Sequence, residues 1–547
     1  MRAIRVKTGL CKNCYACIRA CEVKATSIKQ GQASIIEDDC LACGACIAVC
    51  PQQAREIRDD VHKVHNLLRG ATPVWVSLAP SAALGPYALE EWSAKLTAMG
   101  FAGVSLTSWG ALSVSEAYQA AAKRDGWVLT TACPAAVKLV QRYFPKLTRF
   151  LANVSSPMVT HAAWLKQTYK CRVVFVGPCA AKKNEAGFSS HVDAALTFAE
   201  LERLHPPADS ISFPLSNRTH THLSFAGQGL MHFPLTGGVE GQVTVPVLAI
   251  DGMDELVRFL IRVERDEVVP SGIVEMSACR GSCLGGAAAY RREFSLAERR
   301  GMLKQVQEGA NHQAAAVSRA HLPTKRRVSA TEQSVLEVLR QLGKTEPAQE
   351  FNCGACGYHT CREKASAVTL GRAELEMCLP FMRAKAESLA NLILASTPNA
   401  VVVVDTGLLV QEWNAAAERM FGVPAGIAKG RRMGDFVPEE HFAQALARHE
   451  SFTGVKLSPV PGLITALTIV LVKGGDMVMG VFSDITEMEE QGKALAQLRQ
   501  ETVEKAQEVI NKQMRVAQEI ASLLGETTAE SKMLLLKLMR VVQGAKS

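Results

Sequence analysis

The 547-residue sequence has no long apolar run and little excess of charge of either sign. Its most apolar segments, 401–404 and 463–472, are far shorter than the roughly 20 residues that cross a bilayer, and they are typical of strands. The net charge of +8 comes with no basic run interleaved with aromatics, so we expect no nucleic-acid partner. The segment 1–10 lacks the charged-then-apolar layout of a signal peptide. We therefore expect a cytoplasmic protein with no membrane span.

Cysteine, in contrast, is abundant: there are 17, and most fall in tight groups. In a reducing cytosol such groups indicate metal or redox sites rather than disulfides. Between these cysteine groups, the local sequence pattern changes along the chain. A short cysteine-dense segment is followed from Val74 by strand-like runs alternating with helical stretches, which favours an α/β region built on a mainly parallel sheet. A second cysteine group, an α+β module and a helical end follow, so we expect a multidomain α/β and α+β protein.

The first cysteine group is a motif, C-x2-C-x2-C-x3-C, that occurs twice and ends before Pro51 in its second copy. Thiolates suit iron in a tetrahedral sulfur field, and in paired motifs the fourth cysteine ligates the other cluster. This predicts two 4Fe–4S clusters, one on Cys11, Cys14, Cys17 and Cys50 and the other on Cys40, Cys43, Cys46 and Cys21. The pattern resembles bacterial two-cluster ferredoxins, although Glu22 stands where proline is usual. Zinc or purely structural cysteines are the alternative.

Four further cysteines lie in three short segments of the α/β region. Cys133 follows a strand and precedes Pro134, which fits a first helical position, so Cys133 is expected at the positive end of a helix. Cys179 also follows a strand directly, and Cys279 and Cys283 share a third segment. Loops at the carboxyl ends of strands are where open α/β sheets build sites.

Together, in this order, the three segments resemble the T-S-C-C-P, P-C-x-x-K-x-x-E and E-x-M-A-C-x3-C-x2-G-G signatures of FeFe (iron-only) hydrogenases, over about residues 70–295. The resemblance implies an H-cluster, which is a cubane linked to a two-iron subcluster carrying CO, cyanide and a dithiolate. It implies that the cubane is held by Cys133, Cys179, Cys279 and Cys283. Cys283 would also bridge to the two-iron unit, and Lys182 would donate a hydrogen bond to a cyanide. Gly285 and Gly286 would allow a close backbone approach to the cluster.

Two positions depart from the catalytic members of this family. Ala132 occupies the position of a cysteine that passes protons, and a methyl group can do no acid–base work. Ser277 stands where a methionine is usual.

Relatives that serve in iron–sulfur assembly keep a cubane but no two-iron unit. The intact segment around Lys182 favours the full H-cluster. Cys171 is interpreted as an inert buried thiol.

A third group, C-x2-C-x4-C-x16-C, predicts one more 4Fe–4S cluster. Its cysteines are Cys353, Cys356, Cys361 and Cys378. The spacing resembles the small iron–sulfur domain of corrinoid iron–sulfur proteins. Zinc is the alternative, because His359 lies inside the motif.

The module after this group resembles a PAS domain from its first strand, 401–404, through the segment 412–422 to the closing Asp484-Ile485-Thr486. The resemblance implies a module that binds a small ligand or dimerises and hands a signal to the next helix. It contains no cysteine, which excludes a flavin-adduct photosensor, and His441 and His449 are interpreted as surface residues. The following helix carries a coiled-coil seam of Ala506, Val509, Gln513, Val516, Ile520 and Leu523, and we expect Gly525 to end it.

These interpretations combine into one architecture. We expect a ferredoxin-like two-cluster domain at 1–65, an H-cluster domain at 66–330, a small 4Fe–4S domain at 331–387, a PAS domain at 388–487 and a helical signalling tail at 488–547. The combination resembles the sensory class of FeFe hydrogenases. It implies slow conversion of H2 at Lys182 and Cys283 and a redox signal passed to the PAS domain.

A catalytic ferredoxin-linked hydrogenase and a non-catalytic iron–sulfur scaffold or electron-transfer protein are the alternatives. The expected partners are H2, a ferredoxin-like carrier, hydrogenase maturation proteins, a downstream signalling protein and a second copy of the chain.

Overall fold

The computed structural model describes residues 3–205, 230–291, 293–305, 315–324, 328–472, 476–524 and 529–542. The chain divides into two compact units, 1–382 and 383–547. The first unit holds all 17 cysteines, and the second holds the α+β module and the helical end.

The N-terminal cysteine domain is built from short elements around its two cysteine motifs. These are β1 (Ile4–Val6), α1 (Ala16–Arg19), β2 (Thr26–Lys29), β3 (Gln32–Ile35), α2 (Ala45–Ala48) and β4 (Arg55–Ile57). Strands β1 and β4 pair antiparallel, and β2 and β3 form a hairpin. Each one-turn helix begins after a residue in the left-handed conformation, Tyr15 for α1 and Gly44 for α2. The predicted ferredoxin-like domain is confirmed.

The α/β region follows with alternating strands and helices. They are α3 (Val61–Leu68), β5 (Val74–Leu78), α4 (Leu89–Ala98), β6 (Gly103–Leu106), α5 (Ser108–Asp125), β7 (Trp127–Leu129), α6 (Pro134–Tyr143), α7 (Pro157–Tyr169), β8 (Arg172–Val176), α8 (Ala180–Phe188), β9 (Ala194–Leu196), α9 (Phe198–Glu202), β10 (Val247–Asp251), α10 (Met253–Glu264), β11 (Gly272–Ser277) and α11 (Leu296–Lys304).

The strands form two parallel sheets rather than the one expected from the sequence. Their orders are β6-β5-β8-β9 and β10-β11-β7. Helices α5 and α7 pack on each other, α5 lies on β7 and β11, and α7 lies on β5 and β8, so this helix pair joins the two sheets. Gly110 permits the close packing, because a Cβ there would lie 2.2 Å from the carbonyl oxygen of Pro157. Short strand-like runs in a sequence do not show which strands pair with each other. The division into two sheets could therefore not be predicted from the sequence.

The third cysteine group lies in a small helical domain. Helix α12 (Glu332–Gln341) packs against α13 (Cys361–Thr369), and Cys378 immediately precedes α14 (Leu379–Ser396). Val335, Val338 and Leu339 of α12 bury their side chains together with Ala365 of α13.

The second unit contains a five-stranded antiparallel sheet of order β13-β12-β16-β15-β14. Its elements are β12 (Ala400–Asp405), β13 (Val410–Trp413), α15 (Ala415–Phe421), α16 (Ala425–Ala428), α17 (Glu440–Arg448), β14 (Phe452–Leu457), β15 (Thr465–Leu471) and β16 (Met477–Asp484). Asn414 caps α15, since its Oδ1 accepts from the backbone N–H of Ala417 at 2.9 Å and of Val401 at 2.9 Å. The predicted mixed fold is confirmed here also.

The chain then continues as α18 (Thr486–Leu524) and α19 (Ala529–Val542). Three members of the predicted seam, Val509, Val516 and Ile520, are exposed on α18. Gly525, expected to end this helix, lies outside the described residues. In the parts of the chain that the structure describes, no helix combines the length and the apolar character needed to cross a membrane.

Candidate metal-cluster cavity

The three cysteine segments of the α/β region meet at one cavity. Cys133 follows β7 and is the N-cap of α6, with Pro134 at the first helical position, as predicted. Cys179 follows β8 and is the N-cap of α8. Cys279 and Cys283 follow β11. All four side chains line a cavity of about 100 Å³. Because β8 belongs to one parallel sheet and β7 and β11 to the other, the cavity lies where the carboxyl ends of the two sheets meet.

Burial and neighbouring sulfurs raise the pKa of three of the four thiols, those of Cys179, Cys279 and Cys283. Burial, and then the charges of Cys179 and Cys133, raise the pKa of Cys283 to about 12. Burial and the neighbouring thiols also raise the pKa of Cys279 well above its ordinary value. Thiols held together in a low-dielectric cavity cannot all ionise alone, whereas metal coordination deprotonates a thiol outright. The donor set therefore fits an iron–sulfur cluster.

Lys182 supplies a buried ammonium at the same cavity. Its Nζ lies 3.3 Å from the carbonyl oxygen of Ala132 and 3.3 Å from the carboxylate of Glu185. Burial by itself lowers the pKa of Lys182, but Glu185 and the thiols of Cys179 and Cys283 outweigh it, so the pKa lies above its ordinary value. The Lys182 side chain is therefore a charged donor that faces the thiols.

The two positions that depart from the catalytic pattern both line the cavity. Ala132 presents a methyl group, and its backbone carbonyl accepts a hydrogen bond from Lys182. The Ser277 hydroxyl lies 2.9 Å from the hydroxyl of Ser282, directly beside Cys283. The wall near Cys283 therefore carries a pair of hydroxyl groups where the family has an apolar thioether.

Glu275 is a cavity residue whose role the sequence did not predict. It lies on β11, and its carboxylate accepts a 3.3 Å hydrogen bond from the backbone N–H of Val239. Burial raises its pKa to about 7. The available signal was a carboxylate in an otherwise apolar strand, two residues before Ser277 on the same strand face.

The glycines after Cys283 are constrained by neighbouring backbone. A Cβ at Gly286 would lie 2.8 Å from the carbonyl oxygen of Pro178, and one at Gly285 would lie 1.8 Å from that of Arg280. Gly286 also lines the cavity. These glycines therefore allow the segment of Cys283 to close against the segment of Cys179.

The second N-terminal cysteine set lies next to the cavity. Burial, followed by the charges of Cys21, Cys40 and Cys133, raises the pKa of Cys43 to about 12. The Cys279 sulfur lies 3.9 Å from the carbonyl oxygen of Cys43. Across the same contact, a Cβ at Gly44 would lie 2.5 Å from the Cβ of Ala287. The cysteine loop of the N-terminal domain therefore packs directly on the cavity wall.

The first N-terminal set is in contact with a buried cation. Arg55 is 4% exposed, and its Nη2 donates to the sulfur of Cys17 at 3.1 Å. A guanidinium at this distance would stabilise the negative charge of a cluster held by this set. The predicted ligands of this set are Cys11, Cys14, Cys17 and Cys50, and that assignment stays a prediction.

The third cysteine group encloses a smaller space of about 20 Å³. It is lined by Cys353, Cys356, Cys361 and Cys378. His359, which kept zinc open as an alternative, is exposed and is not among the lining residues. In the described part of the chain, no three His, Cys, Asp or Glu side chains are grouped as they would be around a single metal ion.

Four family models match the chain. Residues 72–246 match the iron only hydrogenase large subunit, C-terminal domain, and residues 10–54 match a 4Fe-4S dicluster domain. Residues 349–380 match a putative Fe-S cluster domain, and residues 389–461 match the PAS fold. The predicted resemblance to iron-only hydrogenases and to the PAS fold is confirmed over these residues.

Two curated relatives cover parts of this arrangement. The NADP-reducing hydrogenase subunit HndD of Solidesulfovibrio fructosivorans is 26% identical over 322 residues, which is 45% of this chain and 55% of the relative. A component of the ion-translocating oxidoreductase complex of Methanosarcina acetivorans is 42% identical over 48 residues, 9% of this chain and 18% of the relative. The chain thus spans about half the length of HndD and less than a fifth of the archaeal protein.

Solved structures give weaker likenesses. The FeFe hydrogenase HydA1 of Chlamydomonas reinhardtii aligns at 16% identity and a TM-score of 0.37, over 47% of this chain and 91% of that one. The PAS domain of nitrogen regulation protein NR(II) from Vibrio parahaemolyticus aligns at 20% identity and a TM-score of 0.16, over 18% of this chain and 98% of that one.

Proposed function

We propose that this chain is a sensory FeFe hydrogenase that binds H2 at the cavity and converts it slowly. The redox or H2-bound state of the site would then be signalled to the PAS module of the same chain. The observation that carries the proposal is the lining of the cavity. Four thiols and one ammonium face a common space, while Ala132 leaves the position of the proton-passing cysteine without an acid–base group. The same chain contains the PAS fold, for which a simple catalyst has no need.

The residues suit an H-cluster in chemical type. Cys133, Cys179, Cys279 and Cys283 would hold its cubane, and the Lys182 ammonium would donate to an anionic ligand. When bound, the H-cluster supplies the reversible cleavage of H2 into protons and electrons. The chain's own contribution is to keep Lys182 charged through Glu185 and to surround the site with a mostly apolar lining.

Slow conversion follows from Ala132. Acid–base catalysis needs a titratable group within hydrogen-bond reach of the reacting atoms, and a positioned group of this kind contributes on the order of a hundred- to ten-thousand-fold in rate. Ala132 offers only a methyl group, and its carbonyl already accepts from Lys182. A slow site consumes little H2, which suits detection better than bulk turnover.

The remaining cofactors and partners belong to the same proposal. Three 4Fe–4S clusters would occupy the two N-terminal cysteine sets and the third cysteine group. A ferredoxin-like carrier, hydrogenase maturation proteins and a downstream signalling protein are the proposed partners. The exposed seam on α18 favours a homodimer, in which two copies bury Val509, Val516 and Ile520 against each other.

A catalytic hydrogenase is the second candidate, and Glu275 favours it. This carboxyl lines the cavity, and burial raises its pKa to about 7, the range in which an acid–base group works best at neutral pH. Glu275 could then replace the missing cysteine in proton delivery. The relative HndD is named as a subunit of an NADP-reducing hydrogenase.

The two candidates differ in rate and in the response of the second unit. Matured protein under H2 or argon is compared by hydrogen–deuterium exchange over residues 400–524, with Cys283→Ala as the control. A sensor changes its exchange in the PAS module or α18 under H2, and the control does not. Turnover as fast as that of catalytic relatives, with no H2-dependent change in exchange, would replace the sensory function with the catalytic one.

A further inference from the structure

The domain of the third cysteine group contacts the N-terminal cysteine domain through hydrogen bonds donated by two backbone N–H groups of the N-terminal domain. The N–H of Ile28 on β2 donates to the carbonyl oxygen of Arg372 at 3.0 Å. The N–H of Gln30, in the β2–β3 turn, donates to the carboxylate of Glu374 at 2.5 Å. The bonded residues lie more than 300 positions apart in sequence, so this contact is specific to the folded chain.

At the centre of this contact the two cysteine loops touch. Gly357 follows Cys356 with a φ of +93°, and a Cβ there would lie 2.9 Å from the Cβ of Ile18. Ile18 follows Cys17, and one apolar cluster joins both sides through Ile18 and Tyr358. A larger residue at Gly357 would separate the loops, so the close approach depends on glycine.

Lys24 places a buried ammonium across this contact, and the residue is 7% exposed. Its Nζ donates to the carbonyl oxygen of Ile18 at 3.1 Å and to that of Gly357 at 3.0 Å. Burial lowers the pKa of Lys24, and the charges of Cys21 and of Glu22 oppose that effect. Glu363 and Cys356 oppose it from the other domain. Burying a charged ammonium costs free energy, and negative charges in both domains offset that cost.

A second buried ammonium lies on the far side of the third cysteine group. Lys364 is 2% exposed, and its Nζ donates to the carbonyl oxygen of Glu374 at 2.7 Å and of Leu375 at 3.4 Å. Lys364 also lines the 20 Å³ pocket of the four cysteines. Lys364 therefore lies in the wall of the pocket, whereas Lys24 lies outside that lining, bonded to Gly357 beside Cys356 and close to Cys21 of the N-terminal domain.

We infer that Lys24 is a positioning residue of the third cysteine group, and that its ammonium, together with that of Lys364, raises the reduction potential of a cluster bound there. This rests on the proposed function only in assuming that a 4Fe–4S cluster occupies these cysteines. Reduction adds one electron to the cluster and breaks no bond, so the reduced form is more negative by one charge. A buried cation stabilises that form most, since its charge is weakly screened.

A cation that raises the potential of the third cluster would favour its reduced state. The last cysteine of the third group, Cys378, is the residue before α14, and α14 is followed by the first strand of the PAS fold. A raised potential would hold the reduced state at the cysteine site nearest to the PAS module along the chain.

The test is a redox titration of the reconstituted full chain with dithionite, followed by electron paramagnetic resonance. A Cys361→Ala variant, which lacks the third cluster, identifies its signal. Lys24→Gln keeps a donor for the two carbonyls but removes the charge, and Lys24→Arg keeps the charge. Lys364→Met removes the second charge. Lys29→Met is the matched control, because Lys29 is an exposed lysine on the β2–β3 hairpin that closely follows Lys24.

We expect Lys24→Gln and Lys364→Met to lower the midpoint potential of the third cluster, while Lys24→Arg and Lys29→Met leave it at the wild-type value. Equal potentials in all four variants would overturn the inference, as would reconstituted protein with no third cluster. If Lys24→Gln does not fold, Lys364→Met and Lys24→Arg still decide the question of charge. The titration uses no H2, so a failure of hydrogen sensing would leave its result unchanged.

Discussion

The cavity between the two parallel sheets and the pocket of the third cysteine group both contain four cysteines, but they differ in the space around them. The cavity measures about 100 Å³ and draws its cysteines from three loops spread over residues 133–283. The third pocket measures about 20 Å³, and its cysteines lie within residues 353–378. The third pocket is therefore the smaller of the two, and its cysteines come from one short stretch of the chain.

The two sites also differ in how they use buried charge. At the cavity, Lys182 is paired with Glu185, so its ammonium is fixed and remains charged. At the third pocket, the Nζ atoms of Lys24 and Lys364 donate to carbonyl groups rather than to a carboxylate. Under the proposed function, the cavity would act on a bound ligand and the third pocket would hold an electron.

The largest expected effect separates the two sites by iron content. Fully matured protein should hold about eighteen iron atoms, from four cubanes and one two-iron unit. Cys283→Ala should lose the bridge to the two-iron unit, about two iron atoms, and with it all reaction with H2. Cys361→Ala should lose about four iron atoms and leave H2 binding intact. Iron and zinc are measured by elemental analysis beside an H2 assay.

A total near eight iron atoms after full maturation, with zinc in the third pocket, would contradict both assignments. The protein would then hold only the two N-terminal clusters. The cavity and the third pocket would differ in shape but not in the clusters they bind, since neither would hold one.

The second prediction concerns proton delivery, which only the cavity requires. Ala132→Cys should raise H2 turnover on the order of a hundredfold, because a thiol restores a titratable group at the cavity wall. Ala132→Val is the control, since it adds bulk without a proton. The measurement is H2 oxidation and evolution by matured protein at matched iron content.

A small gain in Ala132→Cys would indicate that the proton route is also interrupted elsewhere, at the hydroxyl pair of Ser277 and Ser282. The sensory function would then still hold. Wild-type turnover already equal to that of catalytic relatives would contradict the account and would direct attention to Glu275.

The smallest effect is a pH dependence of stability that arises at the cavity. Burial raises the pKa of Glu275 from 4.5 to about 7, so between these values the folded protein retains a proton that the unfolded chain has lost. Stability should therefore fall as the pH rises through this window, by at most about 3 kcal/mol. Glu275→Gln should remove that fall.

Denaturant unfolding at about pH 5 and about pH 8, on either side of that window, measures this difference. Glu337→Gln, an exposed change on α12 of the third cysteine domain, is the control and should behave like the wild type. An equal pH dependence in Glu275→Gln and the wild type would show that the carboxyl does not titrate in the cavity.

Local patterns in the sequence predicted a large part of this arrangement. Pro134 after Cys133 predicted a helix start, and the structure has one there. The spacing of the third group predicted four cysteines around one pocket. Such features depend on a few neighbouring residues, whose geometry the chain itself restricts.

Features that depend on distant packing could not be predicted in the same way. The division of the strands into two sheets, the burial of Glu275 and the hydrogen bond from Lys24 to Gly357 each join segments far apart in sequence. A lysine in a cysteine-rich loop is ordinarily a solvated side chain, and only the fold shows that Lys24 is enclosed.

The most direct test of the central claim is the infrared spectrum of the matured protein under argon and under H2. If the cavity holds an H-cluster that responds to H2, CO and cyanide bands should be present, should shift when H2 is admitted, and should be missing in Cys283→Ala. Protein that carries its full complement of cubane iron but shows no such bands would contradict the account. The chain would then be an iron–sulfur scaffold or electron-transfer protein with an unused cavity.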